Sequence, residues 1–178
     1  MNRAALERRA EEIAPGILAG AGFASRRIVE SLRNDWRVTS RAEVLFGYEF
    51  LVLLLHLVDR TVFGTLGATE RAVFMDRLLA EVLNALSTAE TDIGTASASV
   101  GHVVELYNVR GPEYSRFREW VPNEGEPWAG TLFWEFANHA AVALGLNASS
   151  EASFRVFLAV SAYAPELLEA LKLRSLAG

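Results

Sequence analysis

Apolar residues recur along most of the chain at spacings of three and four, and no stretch alternates apolar with polar residues under β-branched enrichment. That pattern predicts an all-α fold. A first helical region covers about Ala4 to Asn34, with a break or kink expected at Pro15-Gly16, because proline lacks the amide donor and clashes with the preceding turn. Ser40-Arg41-Ala42-Glu43 has the form of a capping box, so a second helix is expected to start at Ser40 and to run to about Phe63, where Gly64 and Gly67 favour a stop. After this short turn a third helix, about Thr69 to Leu86, should pack antiparallel to it. The small polar stretch from Thr88 to Gly101 reads as a loop or a frayed helix start and as the most mobile segment. A fourth helix follows from about Ala98 to Val109, stopping at Arg110-Gly111, with a shorter one opened by Pro112. The turn Val121 to Trp128 leads to a fifth helix, near Pro127 to Gly145, and to a sixth from about Ser150, bent or ended at Pro165. The expected architecture is a helical bundle of five or six main helices.

From Val44 to Val58 the apolar positions do not keep to one stripe. A helix apolar on every side must be surrounded by others, which puts the segment from about Ser40 to Phe63 at the centre of the bundle. Gly47, Glu49 and His56 interrupt it, so it falls short of the roughly 18 clean apolar residues of a membrane span.

Composition narrows the class. At 178 residues, with 51% hydrophobic and 22% charged residues, the chain is long and apolar enough for one domain over residues 1–178 with a real core. No linker or internal repeat divides it. Seventeen Lys and Arg against 22 Asp and Glu give a formal charge of -5, which leaves no cationic surplus for a nucleic-acid backbone. With no cysteine there are no disulfides, thiolate metal sites or cysteine nucleophiles, as suits a reducing compartment. The N-terminal residues mix charges and lack the apolar run of a secretory signal, so the expected location is cytoplasmic. Phosphate loops and nucleophile elbows are missing as well.

The candidate chemistry starts on the second helix. Glu49 and His56 are seven apart, two turns along one face, and share that side with Asp59 and Arg60. A carboxylate buried there needs a histidine, an arginine or a metal as partner. The other two histidines also have carboxylates at helical spacing: His102 with Glu105, and Glu135 with His139. Imidazole with carboxylate is a ligand set for a divalent transition metal, so one expectation is a metal site built from Glu49, His56, His102, Glu105, Glu135 and His139. The spacings differ from the Glu-x-x-His motif of carboxylate-bridged di-iron bundles. Against this stands the plainer account, in which such pairs only stabilise their helices by about 0.2 to 0.5 kcal/mol.

Aromatic residues crowd the region from Tyr107 to Phe136. Among them Tyr114, Trp120, Trp128 and Trp134 are candidates for an interface or a ligand surface, since Trp and Tyr combine an apolar body with a polar tip. The leading expectation is therefore a binding or interaction module that engages a protein partner, a second copy of itself or a small apolar ligand. The metal-binding bundle, with a metal that is structural or activates water or oxygen, is the alternative.

Overall fold

A computed structural model describes residues 2–89, 93–148 and 150–173. It is all-helical among them, with α1 (Arg3–Leu32), α2 (Ser40–Phe63), α3 (Ala68–Ala89), α4 (Ile93–Tyr114), α5 (Leu132–Ala143) and α6 (Glu151–Ala170). Every other helix packs on α2, whose residues from Glu49 to Val58 are all buried. This is the central position that its apolar surface requires. α1 lies against α2 and α3 along a buried stripe that includes Leu6, Ile13, Ile17, Ala24 and Ile28. α5 and α6 form a pair, and α6 also reaches α1, where Leu167 comes so close to Gly20 that a Cβ there would stand 2.8 Å from it. Among the described residues no helix is long and apolar enough to cross a membrane.

Several boundaries depart from expectation, each for a local reason. α2 begins at Ser40 as expected, but its cap is Thr39, whose hydroxyl accepts from the Ala42 amide at 3.2 Å. Glu43 then lies one position too far along for a capping box and pairs with Arg33 at 2.6 Å. α1 runs through Pro15 without interruption, as α6 does through Pro165. Each helix is held by a long buried stripe, which offsets one lost backbone bond. The expected loop from Thr88 to Gly101 is mostly helix: its first two residues end α3 and its last nine open α4, while residues 90–92 lie outside the described residues.

α4 continues through Arg110, Gly111 and Pro112 to Tyr114, in place of the expected stop and fresh start. Arg110 is anchored to α2 and Tyr114 is fully buried, so packing on both sides of Pro112 holds the last turn. α5 starts at Leu132 and not near Pro127, because Gly130 has a left-handed φ of 86° that ends any helix before it. The loop carbonyls of Glu119 and Trp120 accept from the Leu132 and Phe133 amides at 3.0 Å, so the first turn of α5 needs no side-chain cap. Arg60 pins the same loop to α2 by donating to the carbonyls of Phe117 and Arg118.

Candidate functional site

α4 and α5 both pack on α2 but not closely on one another, which leaves a groove between them with α2 as its floor. A chain of charged side chains crosses one end of it. Glu49, buried on α2, accepts a bidentate pair from Arg110 of α4, with Nη2 to Oε1 at 2.8 Å and Nε to Oε2 at 3.1 Å. Arg110 Nη1 also donates to Glu113 Oε2 at 3.2 Å, one turn further along α4. The other oxygen of Glu113 faces His139 Nε2 of α5 at 2.8 Å. Glu135, one turn before His139, brings Oε1 to 3.6 Å from the same nitrogen. One potential ligand atom from each of Glu113, Glu135 and His139 thus lies within 4.8 Å of the others.

Helical periodicity builds this cluster. Residues 110 and 113 share a face of α4, and 135 and 139 share a face of α5, so two half-sites meet across the groove. The three side chains keep 22 to 32% of their surface exposed, enough for access from solvent. A tetrahedral ion with bonds of about 2.0 to 2.2 Å separates its ligand atoms by roughly 3.3 Å. Two of the three separations, 2.8 and 3.6 Å, bracket that value and the third is no more than 4.8 Å, so the residues suit a three-ligand sphere with a free position.

The electrostatics favour a cation. With His139 neutral, as a metal ligand must be, Glu49, Glu113 and Glu135 stand against the one guanidinium of Arg110, which leaves two negative charges in a partly buried groove. Burial works against the charge of Arg110, but its bonds to Glu49 outweigh this and hold its pKa above the ordinary value. Burial also opposes ionisation of Glu113, yet the His139 bond and the Arg110 charge keep its carboxyl below the usual range. Next to them Tyr114 is fully buried, and among the described residues its hydroxyl has no hydrogen-bond partner. Burial raises its pKa well above the ordinary value, and the charge of Glu49 adds to the effect. This leaves a neutral phenol beside the carboxylates as an unused donor.

Of the six expected ligands, Glu135 and His139 come together, and their third companion is Glu113, which sequence reasoning missed. The available signal was Arg110-x-x-Glu113 on one helix face, hidden by reading Pro112 as the start of a new helix. Glu49 belongs to Arg110. His56 stands apart, its ring 5.6 Å from that of Tyr114 and its Nε2 without a partner among the described residues. It lines a separate cavity of about 330 Å³ together with Tyr107 and the Asp59–Arg71 ion pair. Burial, aided by Arg60, lowers its pKa to about 4, so the ring is neutral near pH 7. His102 lies further along the groove with its ring 5.7 Å from Tyr48, and Glu105 is exposed. The six residues therefore do not converge on one point.

Among the expected interface residues, Tyr114 belongs to the core and not to a surface. Trp120 is half-buried against Phe133, with ring centroids 6.0 Å apart. Trp128 is 45% exposed and stacks on Phe154 at 4.5 Å, while half-buried Trp134 packs edge-on against Phe157 at 6.0 Å. Comparison with protein-family models, curated proteins and solved structures finds no match to this chain.

Proposed function

We propose that the protein is a divalent-metal-binding helical bundle whose ion is held by Glu113, Glu135 and His139. The observation that carries this reading is the meeting of one imidazole and two carboxylates within 4.8 Å, on two helices that pack only loosely on each other. One nitrogen and two oxygens suit a transition ion of intermediate hardness, such as zinc or manganese. Arg110 supports the site by orienting Glu113, as hydrogen-bonded outer partners commonly do for ligating carboxylates. Bound there, the ion would act as a Lewis acid on a water or ligand oxygen at its free position.

The test is equilibrium dialysis of untagged, chelator-stripped protein against zinc and manganese, beside a Glu113→Gln/Glu135→Gln/His139→Gln variant. We expect one ion per chain in the native protein and at least a hundredfold weaker binding in the variant, with unchanged far-UV circular dichroism. Equal binding by the two proteins, or none by either, refutes the reading.

A second reading is an interaction surface for a protein partner or a second copy, favoured by the exposure of Trp128 on its aromatic platform. Light scattering of the native protein and of Trp128→Ser tests self-association through this face.

A further inference from the structure

Beside the charged cluster the groove forms a cavity of about 250 Å³, which Glu49, Arg110 and His139 of the cluster line. α2 contributes Leu45 to the floor, α4 contributes Leu106 to one wall, and α5 contributes Val142 and Ala143 to the other. The cavity is therefore charged at the end where Glu49, Arg110 and His139 stand, apolar beyond it, and polar again at His102. Val142 at its edge is 60% exposed, and the other lining residues except buried Glu49 are half-buried.

We propose that this groove is the ligand site of the metal centre, and that it takes a short-chain acyl compound whose acidic, metal-chelating head, of the carboxylate or hydroxamate class, lies at the His139 end. The inference rests on the metal reading of Glu113, Glu135 and His139. Size sets the tail: at about 30 Å³ per water-sized group, the cavity admits roughly eight non-hydrogen atoms. Charge sets the head. With a divalent ion in place the two surplus negative charges are neutralised, and an acidic oxygen can complete the coordination sphere. Arg110 spends three N–H groups on Glu49 and Glu113, and the two that remain of a guanidinium's five are available to a second ligand oxygen. Leu45, Leu106 and Ala143 then cover the alkyl chain.

The experiment titrates zinc-loaded native protein calorimetrically with butanohydroxamate and with acetohydroxamate, which lacks most of the tail. Burial of two further methylenes predicts roughly tenfold tighter binding of the longer probe. That preference should disappear in Val142→Trp, which narrows the mouth at an exposed position, and in Ala143→Leu, which fills the wall, while both variants keep their zinc. Equal affinities for the two probes, or a preference unchanged in both variants, overturn the groove assignment and leave the metal site standing. A native protein that binds no zinc overturns both.

Discussion

Glu49 and Arg110 carry the most consequential interaction in the groove, and its energy can be worked from the geometry. The Glu49 side chain is only 6% exposed and that of Arg110 17%, so neither is well hydrated when its partner is removed. Loss of one member of a buried pair typically costs about 3 to 5 kcal/mol, mostly because the survivor stays uncompensated. In Glu49→Leu the guanidinium keeps Glu113 at 3.2 Å, which places the expected loss at the lower end, about 3 kcal/mol. Arg110→Met leaves a buried carboxylate at the end of a groove that Leu45 and Leu106 also line, so its cost should be at least as large. In Glu49→Leu/Arg110→Met no charge of the pair remains, and the double variant should return to within about 1 kcal/mol of the native protein. Urea unfolding of the four proteins at pH 7 gives the cycle directly, with a coupling of about 5 kcal/mol expected from these losses, beyond the usual range of about 0.5 to 3 kcal/mol. Two single losses below about 1 kcal/mol that simply add in the double variant would refute the claim that this pair ties α4 to α2.

Other consequences follow from single positions. The pKa of His56 is lowered to about 4 in the fold but is near 6.5 when unfolded, so the unfolded chain binds the extra proton between those values. This stability is present above about pH 6.5 and lost as the pH falls to 4, about 3 kcal/mol in all. The difference in unfolding free energy between pH 7 and pH 4.5 should therefore shrink in His56→Gln, and an unchanged difference would contradict the assigned burial. Gly22 and Gly101 lie within helices, and a methyl group added at either would meet nothing within 4 Å, so each change to Ala should stabilise by up to about 1 kcal/mol and raise Tm by roughly 2 to 4 °C. At Gly130, where φ is 86°, Ala should instead cost about 1 to 2 kcal/mol and lower Tm. A stabilised Gly130→Ala would mean that the turn before α5 is not left-handed.

The architecture was largely legible because α2 is apolar on every side, and only a surrounded helix can satisfy that pattern. Helix ends were less legible where one local signal competed with packing. Gly111-Pro112 reads as a stop, yet Arg110 and Tyr114 on either side are held by α2 and the core, and the helix continues. That one boundary concealed half of the candidate site, since Glu113 shares a face with Arg110 only on an uninterrupted helix. The pairing of Glu135 with His139 was readable from spacing, as both lie within one helix. Their meeting with Glu113 depends on how α4 and α5 lie over α2, which no local pattern encodes. The same limit applies to Tyr114, whose composition suits a surface and whose position is the core.

The charged chain also shows why the two helices stand apart. Had α4 and α5 been joined by apolar side chains, closing the groove would have buried more surface and avoided desolvating three carboxylates. Instead Arg110 reaches down to α2, Glu113 reaches across to α5, and Glu135 adds a further negative charge that no guanidinium of the cluster neutralises. Such an arrangement is less stable than a packed seam, because each partly buried carboxylate gives up hydration for incomplete compensation. The divalent cation proposed above would supply the missing charge and would bind the folded chain alone, since the two half-sites are brought together only by the fold. Its binding energy would then add to folding stability by mass action, about 2.7 kcal/mol when the free ion is at a hundred times its Kd. On this reasoning the groove trades packing in the free protein for a site that the ion completes.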